Sequence, residues 1–441
     1  MLSPLDRTCF TVIALGSAGD INPLFTIALT LKNQGHNVLF LSTPEIAHRA
    51  ISAGLAFAPI CTAEDLERTL SHPRLWEARA GLGVLWRYLG VPALKPTVKY
   101  IEERLLKNPQ NQHVVLASAL AMGARIAREI HNFHLVSAYT SPANLRQIEG
   151  PFYIGDVAIP TWLPKVFKKQ LWKTLDRYKL DPMMRKGLEH VRNQYHLPPL
   201  EGAYLEKWMH SPDTGIALWP SWFDSVKHLG QYQAQIQTGF IFPDDATIHD
   251  DPILEPLPQL IEQFLHNGPA PLVWMPGSAV RNPELFFHHA IEVSRSLGMR
   301  SLFLTSDTKF HSSAPDTGYL AHPLVPFSKL LPRSVALIHH GGIGSAAAAI
   351  RAGIPQLIIA SAFDQFFNGH RIEALGLGVW CKQKSANPTI IHNKLKQVLG
   401  LPQFNIKHYQ SELLNINNAQ LTCDLLQSTN LLTLCNTESK Y

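Results

Sequence analysis

Two histidines, three glycines and a serine stand together in His339-His-Gly-Gly-Ile-Gly-Ser345, and an acid–amide pair, Asp364-Gln365, follows shortly after. Ahead of the turn, Val335 to Ile338 is an apolar run of strand type, and Ser345–Ala352 reads as a helix closed by Gly353. A strand that feeds a glycine-rich turn and then a helix makes an anion site, because free backbone N–H groups and the positive end of the helix dipole converge there. Gly341, Gly342 and Gly344 let the backbone approach a ligand closely. A second apolar run, Gln356 to Ala360, ends near Asp364 and Gln365. A phosphate site with extra polar groups beside it suits a sugar-nucleotide better than a plain nucleotide.

Asp20 is the second reactive group. It lies in Gly16-Ser-Ala-Gly-Asp-Ile-Asn-Pro23, directly after the apolar run Cys9–Leu15. Asn22-Pro23 has the residue types of a cap followed by a first helical position, so the helix is expected to start there. That would leave Asp20 in the strand-to-helix turn, where a carboxylate either acts as a general base or caps the helix. A metal held by the two histidines with Asp364 and His370 is the competing reading. Metal sites need three or four convergent ligands, and the surrounding glycines supply none, so no metal and no cofactor are expected.

Both motifs need a scaffold of strands alternating with helices. Cys9–Leu15, Val38–Leu41, Val114–Ala117 and Leu135–Tyr139 read as buried strands of one series, with helices between them. Leu272–Met275, Ser301–Leu304, Val335–Ile338 and Leu357–Ala360 form a second series. Alternation of this kind predicts doubly wound parallel sheets. Ligands in such folds bind at the carboxyl ends of the strands. The expected division is a first domain over 1–242, a Pro/Asp-rich linker over 243–258, a second domain over 259–415, and a tail over 416–441 that packs back on the first domain.

Residues 150–215 depart from this pattern. Lys168, Lys169 and Lys173 alternate there with Trp162, Phe167 and Trp172. Two readings stand: a solvated basic face over core aromatics, or a peripheral membrane contact. Trp76, Trp86, Trp162, Trp172, Trp208 and Trp222 crowd the first half and favour a lipid-like or aromatic partner over a polar one. The net charge of +5 carries no basic block of the kind that marks nucleic-acid binding. Five scattered cysteines without a CxxC pair fit a reducing compartment. With no run of eighteen apolar residues and no leader-like start, a cytoplasmic protein is expected.

Together these residues resemble the nucleotide-sugar-dependent glycosyltransferases of family 1, whose fold is GT-B: two Rossmann-like doubly wound α/β domains facing across a cleft. Gly16–Pro23 looks like the acceptor-side loop of that family, Pro276-Gly-Ser278 like the loop after the first strand of the second half, and His339–Ser345 with Asp364–Asn368 like the donor signature. The resemblance implies Asp20 as catalytic base. It places Ser278, His340, Gly342, Gly344 and Ser345 on the donor phosphates, and Asp364 and Gln365 on the sugar. Ala348 stands where some relatives carry a ribose-binding glutamate. His72–Trp76, Gly83–Trp86, Trp208–Pro212 and Trp219–Phe223 look most like the rhamnosyltransferase B chains of rhamnolipid synthesis. The implied reaction is inverting transfer of a hexosyl group, rhamnosyl or glucosyl, from a nucleoside-diphosphate sugar to an amphiphilic or lipid-like acceptor. A sugar-nucleotide epimerase and a non-catalytic sugar-nucleotide-binding partner are the alternatives. A nicotinamide dehydrogenase is disfavoured, because Gly16-Ser-Ala-Gly19 lacks the G-x-G-x-x-G spacing.

Overall fold

The computed structural model describes residues 8–146, 152–202, 204–226, 234–246, 256–277, 283–305, 319–322, 325–414 and 416–428. The chain forms two compact units: Met1–Leu75, Arg79–His249 and Asn417–Tyr441 in the first, Trp76–Ala78 and Asp250–Ile416 in the second.

The first unit is built on seven parallel strands: β1 (Cys9–Ile13), β2 (Asn37–Ser42), β3 (Ala56–Pro59), β4 (His113–Ser118), β5 (His134–Tyr139), β8 (Thr214–Ala217) and β9 (Ala234–Gln237), in the order β3-β2-β1-β4-β5-β8-β9. A short antiparallel hairpin, β6 (Phe152–Ile154) and β7 (Val157–Ile159), stands apart. β1 is buried along its whole length, as its near-continuous apolar run, broken only by Thr11, requires of a central strand covered by helices on both faces. The second unit has six parallel strands: β10 (Leu272–Met275), β11 (Ser301–Leu304), β12 (Tyr319–His322), β13 (Ala336–His339), β14 (Gln356–Ala360) and β15 (Gly378–Lys382), ordered β12-β11-β10-β13-β14-β15. Counted within that sheet the order is 3-2-1-4-5-6, the doubly wound pattern whose switch point lies between the first and fourth strands. The first sheet begins with the same order, with its switch point between β1 and β4.

The helix after β1 differs from expectation. It runs Ala18–Asn33, starts before Asn22, and carries Pro23 inside it. Ser17 is the N-cap, and the Asp20 carboxylate accepts from the Ser17 backbone N–H at 3.0 Å. This carboxylate arm of a capping box satisfies the Ser17 N–H, and the Asp20 N–H donates to Ser17 O at 2.9 Å. Asn22 instead accepts a bond from Arg49 Nη1 at 2.8 Å. The far side of this helix is braced by the helix Asn418–Gln427. There Asn418 Nδ2 donates to Phe240 O and Gln427 Nε2 to Gln34 Oε1, each at 2.8 Å. Ala419, Cys423 and Leu426 join Ile21, Leu24 and Ile27 in one buried core.

Candidate active site

In the first unit, Asp20 is half-buried beyond the carboxyl end of β1. Its Oδ2 accepts from the Ser17 backbone and from Ser17 Oγ at 3.1 Å, and Oδ1 accepts from Thr140 Oγ1 at 2.8 Å. Thr140 directly follows β5 and lies far from Asp20 in sequence, so only the sheet order brings the two together. Gly16 has φ +141°, and a Cβ there would stand 2.4 Å from Asp20 Oδ2. The glycine is therefore required for the turn to close over the carboxylate. Burial raises the Asp20 pKa above its ordinary value, while the Thr140 and Ser17 bonds oppose the rise. Both oxygens are oriented, and the carboxylate is more basic than an exposed aspartate.

In the second unit, β13 ends on His339 and the helix Ile343–Ala352 begins four residues later with Gly342 as N-cap. Gly342 has no side chain to cap the first turn, so the donors of Ile343, Gly344 and Ser345 face an anion-favouring end of the helix. His339 is fully buried. Its Nδ1 accepts from the Gly341 N–H at 3.2 Å, and its Nε2 pairs with Gln356 Oε1 at 2.9 Å. That pairing places the ring proton on Nε2 and pins the turn, so His339 is a structural anchor. His340 is the ring that reaches the helix terminus: a Cβ on Gly342 would lie 2.6 Å from its Nε2, and one on Gly277 would lie 3.1 Å from its Nδ1. Gly277 follows β10, so the ring sits where the loops of the two switch-point strands meet. His340 Nδ1 is buried without a hydrogen-bond partner among the described residues. A proton on Nε2 then sets a donor beside the first-turn N–H groups.

Asp364 and Gln365 open the next helix, Gln365–Ala374, just past β14. Gln365 Oε1 accepts from Ser361 N at 2.8 Å, Ser361 Oγ at 3.0 Å and Ala362 N at 3.1 Å, which anchors the side chain by its carbonyl end. Phe363, just before the pair, has φ +55°, a strained value for a bulky residue at a turn. Asn368, the last residue of the donor signature, is fully buried. Its Nδ2 donates to Gly341 O at 2.9 Å and to Asp364 Oδ2 at 2.8 Å. One amide thereby ties the glycine turn to the acid–amide pair. Its spacing of one helical turn from Asp364 was the available signal.

The comparisons with known proteins fall on the same regions. Residues 10–131 match the glycosyltransferase family 28 N-terminal domain, and residues 307–420 match the erythromycin biosynthesis protein CIII-like C-terminal domain. Glycosyltransferase GtfE of Amycolatopsis orientalis is 26% identical over 383 residues, covering 82% of this chain and 83% of that protein. The chain is a GT-B glycosyltransferase. A sterol 3-beta-glucosyltransferase of Debaryomyces hansenii is 24% identical over 404 residues, which are 86% of this transferase and 24% of that longer protein. The spinosyn rhamnosyltransferase SpnG, solved with thymidine diphosphate, superposes with a TM-score of 0.62 at 18% identity over 95% of this chain and all of that one.

Of the transferase residues singled out in sequence, His340, Gly342, Gly344, Ser345, Asp364 and Gln365 stand on the ends of two neighbouring strands. Asp20 lies in the other unit, and Ser278 lies outside the described residues. Trp86 and Trp208 are core side chains of the first unit rather than groove lining.

Both turn histidines are electrically neutral near pH 7. Burial pushes His339 down to about 3, with His340 adding to the effect, and pushes His340 down to about 4. Unfolded histidine titrates near pH 6.5, so between there and about 4 the unfolded chain takes up protons that the folded turn refuses. Stability present above about 6.5 is lost as the pH falls. The expected result is a Tm that drops over this window, with a shallower drop in His340→Gln; each pKa unit is worth about 1.4 kcal/mol. Superimposable acid melts of the two proteins would contradict the burial of His340.

Proposed function

We propose that the protein transfers a hexosyl group, rhamnosyl or glucosyl, from a nucleoside-diphosphate sugar to the hydroxyl of a hydrophobic acceptor, with inversion at the anomeric carbon. The observation that carries the donor half is the helix N-terminus at Gly342, uncapped by any side chain, with His340 packed across it and Asp364 and Gln365 at the next strand end. In the reaction the acceptor O–H proton passes to the Asp20 carboxylate as that oxygen attacks the anomeric carbon. The bond from that carbon to the diphosphate breaks, and its electron pair stays with the diphosphate. The N–H groups of Ile343, Gly344 and Ser345 and the His340 imidazole hold the charge that develops there. Asp364 and Gln365 hold the sugar hydroxyls. A single displacement inverts the centre.

Burial of Asp20 supports its role, because a base works best with a pKa raised toward the working pH. The segments His72–Trp76 and Trp219–Phe223, with their likeness to rhamnolipid-forming chains, support a rhamnosyl donor. The named acceptor of the sterol-active relative, an apolar body with one hydroxyl, supports the acceptor class. Thermal-shift titration against UDP- and dTDP-sugars tests the donor half. A bound donor at about 100 times its Kd should add about 2.7 kcal/mol of stability. A flat Tm across the whole panel would overturn it.

A further inference from the structure

We propose that the face built from Trp162 and the helix Lys165–Leu175 docks on an anionic phospholipid bilayer. This inference is independent of which sugar or acceptor the enzyme uses. Val157 of the hairpin, Trp162, Val166, Phe167 and Tyr178 are all exposed, Trp162 at 79%, Val166 at 75% and Phe167 at 62%. Single exposed apolar residues are ordinary on a protein surface, whereas a local group of this size marks a binding face.

The helix departs from the ordinary amphipathic pattern at one inward position and along its outward face. Its buried and half-buried positions are 168, 171, 172 and 175, the spacing of one helical face. The residue on that inward face with almost no exposure is Lys168, whose Nζ lies 3.3 Å from Thr161 O. Lys168 therefore takes no part in an outer basic surface, which corrects the sequence reading. The outward face carries Val166, Lys169 and Lys173 in successive turns, with Phe167 at its side. From Lys165 to Lys179 the sequence holds six basic residues and one acid, Asp176. Asp176 is buried, and it pairs with Arg146. The outward charge is thus positive, with exposed apolar side chains beside it. That chemistry fits an anionic lipid surface, where aromatic side chains enter the headgroup layer and lysines lie against the phosphates. A neutral protein groove would leave the lysines unmatched.

The test uses the full chain with vesicles of phosphatidylglycerol and phosphatidylcholine, against vesicles of phosphatidylcholine alone. The wild type is expected to sediment with the anionic vesicles at low salt and to leave them at high salt, where exposed charges are screened. Each basic residue near such a surface contributes about fivefold in partition, the equivalent of about 1 kcal/mol. K169E/K173E should therefore lose at least about 25-fold. W162S/F167S should lose binding with its net charge unchanged. Both variants should keep the wild-type Tm and the wild-type thermal shift with a nucleoside diphosphate, which separates loss of the face from loss of the fold. Equal sedimentation with the neutral vesicles, or variants that bind like wild type, would overturn the proposal. So would a concentration-dependent dimer abolished by W162S/F167S, which would assign the face to a second copy of the chain.

Discussion

Asp20→Asn is expected to lower kcat by about 10²–10⁴-fold, the usual worth of a positioned general base. Asparagine keeps the size of the side chain and an oxygen able to accept from Ser17, so Gly16 and the helix start should hold their places. What it removes is the group able to take a proton from the acceptor. It also removes one negative charge from the first turn of the helix, which costs about 0.3–1 kcal/mol. The Tm should therefore fall only slightly. Donor affinity should not change, because the phosphate turn belongs to the other compact unit. Steady-state kinetics and titration with the nucleoside diphosphate check the two halves of this expectation. Turnover near wild type would refute the role of Asp20. Weakened donor affinity together with lost turnover would mean that the substitution had disturbed more than a base.

His340→Ala is expected to weaken the nucleoside diphosphate by about 10- to 100-fold. A hydrogen bond to a charged group is worth about 1.5–3 kcal/mol, and each 1.4 kcal/mol is a factor of ten. The ring is neutral at pH 7 because burial holds its pKa to about 4, so its contribution is a donor N–H rather than a charge. His340→Gln, which retains an amide donor, should recover part of the loss, whereas His340→Leu should not. Calorimetry across the three variants checks this order. Equal affinities would show that the helix N-terminus alone holds the phosphates.

The donor turn was legible because its parts are local. Strand, glycines, helix and Gly353 follow one another in sequence, and the structure shifts β13 by a single residue to Ala336–His339. Pro23 suits a first helical position and so points past the true start of the first helix, at Ala18. The Ser17-x-x-Asp20 capping pattern was present and pointed to Ala18. Thr140 was not legible: it meets Asp20 only through the β1-β4-β5 order, a pairing across more than a hundred residues. Lys168 was hidden for a related reason. Helical spacing shows which residues share a face, but the inward face here contains a lysine, against the ordinary burial preference. The strands β3, β8, β9, β12 and β15 are not legible because glycine, alanine, proline or polar residues break the apolar run in each of them.

The reaction proposed for this chain is a single displacement at the anomeric carbon of a nucleoside-diphosphate sugar. Proton NMR of the glycoside formed from an α-linked or β-linked donor of known configuration tests it most directly, with release of the nucleoside diphosphate followed in the same tube. One equivalent of nucleoside diphosphate per glycoside is expected, with a product of opposite anomeric configuration to the donor. A product that retains the donor configuration, or diphosphate release that does not depend on the hydroxyl acceptor, would contradict it.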